Sequence, residues 1–317
     1  MSFAFVFPGQ GSQSLGMLSA LAAANQAVRA TFEEASRVLG FDLWKLVSEG
    51  PEEALNATDR TQPAMLAAGI ATWRVWRALG GAPPAVVSGH SLGEFTALVC
   101  AEALEFAPAI DLVRFRGEVM QAAVPAGTGA MAAILGLDDE AVEALCREAA
   151  RGAVVEAANF NSPGQVVIAG ENAAVERAIE AARTRGAKRA VVLPVSVPSH
   201  TRLMRGAAER LREKLTSLDL RAPRIRYVSA VDARAHERPE DIRELLVRQL
   251  SSPVRWTDTV RALAAGPLAQ IIECGPGRVL TGLNRRIERR PDLGILALED
   301  PPSMQAALNA TRGGAHA

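Results

Sequence analysis

Residues 89–93 read Gly-His-Ser-Leu-Gly, and no other stretch of the chain limits its folding as much. A short β-branched run at 85–88 leads into them. Leu92, Phe95 and Val99 then fall on one face of a helical repeat. A strand that enters a helix through so tight a turn needs glycine on both flanks, because a Cβ would obstruct it. The pattern predicts a strand in a parallel sheet with its helix packed back on it, an α/β architecture. It also presents the Ser91 hydroxyl above the sheet, with helix N-terminal N–H groups aimed at it.

A serine hydroxyl is a weak nucleophile at neutral pH and needs a base within hydrogen-bond reach. The chain has four histidines. His236 and His316 read as loop residues. His90 adjoins Ser91, but neighbours on a turn diverge. His200 ends a predicted strand at 190–197, beside a proline-fixed loop, and α/β sites assemble at strand ends. An ordinary loop histidine is the competing reading of His200. An unperturbed imidazole acting as base would titrate at roughly 6–7.

The remaining sequence fits the same class. "FAFVFPGQGSQ" is a buried-strand run closing in a Gly-rich turn; no GK[ST] follows, which argues against a nucleotide P-loop. Pro108 predicts a helix over 109–124. Residues 126–196 alternate as βαββαβ, with Asp138 capping the first helix and Gly186 stopping the second, the order of a ferredoxin-like unit. They would form a small subdomain inserted in a large domain of 1–125 and 197–317. A helix over 201–218, a strand in "IRYVSA", a helix in "PEDIRELLVRQL" and a strand before the turn "CGPG" complete it. The last residues, "ATRGGAHA", read as a frayed end.

Composition narrows the function classes. At 49% hydrophobic and 22% charged, the chain can bury a large core. Its longest uncharged apolar run, 64–73, is too short to span a bilayer, and the N-terminus lacks a basic signal region. A soluble cytoplasmic protein with no membrane role is expected. Cys100, Cys146 and Cys274 share no C-x-x-C spacing, so neither a disulfide framework nor a metal site is expected. Net charge is zero but uneven. Residues 1–182 carry 11 basic and 21 acidic side chains, and 183–248 carry 16 and 8. The basic block, with Lys188 and Arg189, fits an anionic partner or a solvated face equally; no nucleic-acid motif accompanies it.

Two arginines of the 109–124 helix differ in their neighbours. Arg114 has Asp111 and Glu118 three and four residues away, which marks a solvated, ion-paired side chain. Arg116 has Leu112, Val113, Val119 and Met120 there, on the apolar stripe. A buried guanidinium needs an anion. That anion is either an internal carboxylate or a carboxylate on a substrate, held bidentately.

"FPGQGSQ" (7–13), "GHSLGE" (89–94), "RFRGEVMQ" (114–121), "NFNSPGQVVIAG" (159–170), "PVSVPSH" (194–200), "QLSSPVRW" (249–256) and "ECGPGRVLTGL" (273–283) occur in this order. Together they resemble the malonyl-CoA:acyl carrier protein transacylase family, and are similar to polyketide synthase acyltransferase domains. The resemblance implies an α/β-hydrolase-like large domain with a ferredoxin-like insert. It implies Ser91 as nucleophile, His200 as base, an oxyanion hole from the backbone N–H groups of Gln10 and Leu92, and a backbone carbonyl near Gln249 orienting the histidine. Arg116 would bind the malonyl carboxylate. Gln62, Asn159 and His90 would lie near the substrate, though a plain structural hydrogen bond suits Gln62 and Asn159 as well. The implied partners are malonyl-CoA and acyl carrier protein. Coenzyme A enters as a thioester substrate, with no resident cofactor, and a monomer is expected. A related serine hydrolase or editing enzyme, a polyketide-pathway acyltransferase and a non-catalytic scaffold are the alternatives. "SAVDAR" and Cys274 depart from the family pattern without touching the named chemistry.

Overall fold

A computed structural model describes residues 1–125, 127–195 and 197–312. His316 and most of the expected frayed end, with Ala126 and Ser196 at the expected subdomain borders, lie outside the described residues. Among the described residues ten strands form two sheets: β1 (Phe3–Phe7), β2 (Val86–Gly89), β3 (Gly129–Leu135), β4 (Val155–Ser162), β5 (Gln165–Glu171), β6 (Arg189–Val192), β7 (Arg226–Val228), β8 (Ala235–His236), β9 (Gln270–Glu273) and β10 (Gly294–Ala297). The larger sheet has the order β10-β9-β1-β2-β7-β8, parallel except for β8. The smaller, antiparallel sheet has the order β4-β5-β3-β6. The protein is thus a mixed α/β fold with one parallel and one separate antiparallel sheet. No helix is long and apolar enough to cross a membrane among the described residues.

The alternation of β1 divides the large core. Phe3, Phe5 and Phe7 face Trp76 and the helix Thr58–Ala78, while Ala4 and Val6 face Trp256 and Val260. All five strand residues are buried, as expected of a central parallel strand covered on both faces. The chain steps from β1 to β2 on one side and returns as β9 on the other. That reversal opens a crevice beyond the carboxyl ends of the strands.

In the small sheet, Ile134, Val166 and Ile168 pack on the helices Asp139–Ala150 and Asn172–Thr184. Met131, Val167 and Ala169 form the opposite face, with Leu193 and Val195 beside them. The sheets are joined where Asn159 bridges Val254. Val254 N–H donates to Ala158 O, and Phe160 N–H to Val254 O, each at 2.9 Å.

Several local expectations are corrected. The helix around Pro108 begins at Phe106, because proline tolerates the first turn, and ends at Gln121. The strand expected over 190–197 ends at Val192, so His200 lies in a turn beyond it. The 201–218 helix is a 3₁₀ turn, Arg202–Met204, leading into Arg205–Thr216. His236 is not a loop residue: it pairs with Tyr227 in β8 and its ring meets Asp232 at 3.1 Å. The helix after the Ser91 turn, Gly93–Cys100, is buried nearly all round rather than on one face.

The turn itself shows why glycine is required. A Cβ on Gly89 would lie 1.9 Å from the carbonyl carbon of Gly93, and a Cβ on Gly93 would lie 2.0 Å from Phe7 O. Helix and strand touch backbone to backbone. Gly93→Ala should therefore cost about 3 kcal/mol, the upper end of overpacking effects. Gly282→Ala, whose Cβ meets open space in the helix Val279–Ile287, should instead stabilise by about 0.5–1 kcal/mol. Thermal unfolding of the two variants gives opposite shifts if this account holds.

Candidate active site

Ser91 follows β2 with φ 51°, a left-handed backbone that non-glycine residues rarely adopt. The turn holds its Oγ 2.8 Å from His200 Nε2. His200 is also left-handed, φ 65°, and only 3% exposed. Its Nδ1 donates to the backbone carbonyl of Gln249 at 2.8 Å, and its own N–H to Leu250 O at 2.9 Å. Nδ1–H bound to a carbonyl leaves Nε2 as the acceptor for the serine proton. No carboxylate contacts the ring among the described residues; a peptide carbonyl orients it.

Burial pushes the His200 pKa down to about 3, with the Arg116 charge as the next cause; the Gln249 carbonyl opposes both. The ordinary 6–7 of a free imidazole does not describe this ring. His90 is a poor base by geometry. Its Nε2 engages Asn161 Oδ1 at 2.8 Å, the ring tilts against Trp256, and burial lowers its pKa.

Arg116 is 1% exposed. Its Nη1 donates to Gln62 Oε1 at 2.9 Å, and its Nη2 to Gln249 Oε1 at 2.9 Å and Ser91 Oγ at 3.2 Å. Its Nε has no partner among the described residues. None of these acceptors is a carboxylate, and Glu94 is felt only at a distance. Burial lowers the guanidinium pKa to about 10, so Arg116 stays cationic at neutral pH with donor capacity unspent. Arg114 differs as its neighbours predict, pairing with Asp111 at 2.8 Å and Glu118 at 3.0 Å.

A cavity of about 380 Å³ opens onto these groups. Ser91, Leu92, His90 and Gln10 line it from the ends of the large sheet, Arg116 from the helix Phe106–Gln121, His200 from the turn after β6, and Met131, Asn159, Asn161 and Val167 from the small sheet. The backbone N–H groups of Gln10 and Leu92 donate to no acceptor among the described residues, which leaves them free for an oxyanion. The Gln10 side chain reaches Thr58 Oγ1 at 3.4 Å. Asn159 is 7% exposed, and its Oδ1 is unpartnered among the described residues. Gln62 serves Arg116 with its oxygen and faces Met120 Sδ with its nitrogen. Arg189 is exposed at the start of β6, and neither it nor Lys188 lines the cavity.

Sequence reasoning missed three participants. The Gln249 side chain acts as well as its carbonyl: Nε2 donates to Ser91 O and to Glu94 Oε2, both at 3.0 Å. Asn161 holds His90. Glu94 is fully buried, and burial lifts its pKa to about 7 against the hydrogen bonds that favour its charge. The neighbour test applied to Arg116 would have found Glu94, since no cation stands three or four residues from it.

The acyl transferase domain family matches residues 4–289. The malonyl CoA-acyl carrier protein transacylase of Escherichia coli is 54% identical over 306 residues, covering 96% of this chain and 98% of the relative. An acyl carrier protein S-malonyltransferase from Vibrio cholerae has a solved structure with TM-score 0.93 and 55% identity, covering 97% of this chain and all of that one. A malonyl transacylase solved in complex with its type II polyketide synthase acyl carrier protein gives TM-score 0.95 and 54% identity, covering 98% and 99%.

The depressed His200 pKa sets a sign. A base with a low pKa stays deprotonated to lower pH, so the acid limb of the reaction shifts acidward. Single-turnover acylation of Ser91 by an uncharged activated ester should hold its rate from pH 8 down to 6. Its half-fall should lie well below the 6.5 of free imidazole. A half-fall at 6.5 or above would show a solvated ring.

Proposed function

The chain belongs to the malonyl CoA-acyl carrier protein transacylase family of acyl transferase domains, and from that premise we propose that it moves the malonyl group through an ester on Ser91. It is an acyltransferase taking malonyl from malonyl-CoA to the phosphopantetheine thiol of acyl carrier protein. Ser91 Oγ attacks the thioester carbonyl carbon while its proton passes to His200 Nε2. The tetrahedral oxyanion accepts hydrogen bonds from the Gln10 and Leu92 N–H groups. Collapse breaks the C–S bond, and the departing coenzyme A sulfur takes the proton from His200. The phosphopantetheine thiol then gives its proton to His200 and attacks the malonyl-serine carbonyl, and Ser91 leaves with the proton returned. Two half-reactions sharing one covalent intermediate give ping-pong kinetics.

The observation that carries this reading is Arg116: a buried cation touching Ser91, with no contacting carboxylate and no partner for its Nε–H among the described residues. A malonyl carboxylate would supply the missing anion at the distance of one methylene from the attacked carbonyl. An editing hydrolase acting on plain acyl groups has no use for that charge. When the carboxylate arrives, the Arg116 field at His200 is partly neutralised and the base strengthens. Asn159 Oδ1 offers an acceptor to the thioester arm. We read the large unit as α/β-hydrolase-like and the βαββαβ unit as ferredoxin-like, with a cytoplasmic setting. The cleft between the two sheets limits access of water, the competing acceptor.

Intact-mass spectrometry after mixing with malonyl-CoA should show one malonyl adduct, on the peptide that contains Ser91, and none in Ser91→Ala. Stoichiometric labelling of Ser91→Ala would sink the covalent step. Arg116→Ala should lower malonyl kcat/KM by about 2–5 kcal/mol, roughly 30- to 4000-fold, because it removes one partner of a buried charge pair. Acetyl-CoA, which has no carboxylate, should lose little, and Arg114→Ala should change neither. Equal losses for both substrates in Arg116→Ala would make the arginine structural.

A further inference from the structure

Glu94 is a fully buried carboxylate one helical turn beyond Ser91, and no step of the transfer uses it. Everything around it donates. Oε1 accepts from the Ala230 N–H and from Ser229 Oγ at 3.1 Å. Oε2 accepts from Tyr227 Oη at 2.8 Å and Gln249 Nε2 at 3.0 Å. Ser229 Oγ is itself an acceptor for Val231 N–H, so its proton points to Glu94. The Ala230 N–H and the Gln249 amide N–H have no acceptor role to fall back on. The set favours the ionised carboxylate, because the two donor-only groups need acceptors while Tyr227 Oη and Ser229 Oγ donate to it as well.

Gln249 links that carboxylate to the site. A carboxamide between an anion and a cation satisfies both in one orientation only, Nε2 toward Glu94 and Oε1 toward Arg116. The same residue offers its backbone carbonyl to His200. We propose that Glu94 is a positioning residue that fixes the Gln249 carboxamide and, through it, the Arg116 guanidinium. By standing one residue away rather than touching Arg116, it lends negative charge without consuming the donors meant for substrate. The inference rests on Arg116 being the reader of the malonyl carboxylate.

Glu94→Gln is the test, because it keeps the shape and breaks the polarity. Its new NH₂ must face either the Ala230 N–H or the Gln249 NH₂. In the second case the Gln249 amide can escape only by flipping, which turns its NH₂ on Arg116. Competition between malonyl- and acetyl-CoA should show malonyl kcat/KM lower by about 10- to 100-fold, the scale of an orphaned buried donor. Acetyl should stay within about threefold. Glu94→Asp, which keeps the charge and the acceptors, should retain most of the discrimination. A folded Glu94→Gln protein with the wild-type malonyl-to-acetyl ratio, or with both substrates lowered equally, overturns the proposal. Should Glu94→Gln not fold, Gln249→Met removes the carboxamide while the backbone carbonyl still faces His200. Both substrates should then slow, malonyl by at least about tenfold more than acetyl, and equal losses overturn the proposal there too. Arg116→Ala run alongside separates the two ideas. An unmoved ratio in Arg116→Ala sinks the substrate reading. A shift there with none in Glu94→Gln sinks only the role of Glu94.

Discussion

A guanidinium sealed from water, with no carboxylate in contact among the described residues, organises this protein. Isolated, a buried Arg116 would be too costly to keep charged. The fold meets that cost with two glutamine oxygens, the nucleophile's own hydroxyl and a carboxylate held one residue away. Each of these is a weaker partner than a contacting carboxylate. On the proposed reading an incoming anion corrects the remaining imbalance. Burial first, and the same unbalanced cation next, lowers the proton affinity of His200.

The site is shared between the two sheets in a way that separates tasks. The parallel sheet delivers the turn of Ser91 and the loop of Gln10, while His200 comes from the turn after β6 and Gln249 from the 3₁₀ turn that follows the helix Pro239–Arg248. The antiparallel sheet contributes apolar wall from Met131 and Val167 and amides from Asn159 and Asn161. The Asn159–Val254 bridge ties that wall to the segment just after Gln249, so wall and catalytic segment keep register with each other.

Much of this was legible in the sequence where the requirement is local. The glycines around Ser91 announce the turn because the steric demand sits within five residues. Arg116 stands out because its helix neighbours are all apolar, and Arg114 is explained away by the acids beside it. The βαββαβ order of the second sheet follows from alternating runs with their own caps. Legibility fails where partners are distant or elements are short. The Gln249 side chain meets Arg116 across 133 residues and Glu94 across 155, and no periodicity marks such pairings. The two-residue β8 and four-residue β10 offer too little alternation to read. His200 could not be distinguished from an ordinary loop histidine by spacing, since the carbonyl that orients its ring lies 49 residues on. Its depressed pKa was equally out of reach, because burial is a tertiary property.

Ser91 and His200, whose side chains meet at 2.8 Å, carry φ values of 51° and 65°. A side chain in that region costs of order 1 kcal/mol or more relative to glycine. In a copy of this chain released from selection for transfer, the serine in particular would be free to become glycine, and the turn would relax rather than collapse. Relief of the backbone strain would then offset part of the hydrogen bond that Arg116 loses with the hydroxyl. A descendant with that single substitution would stay folded, persisting as a silent relic.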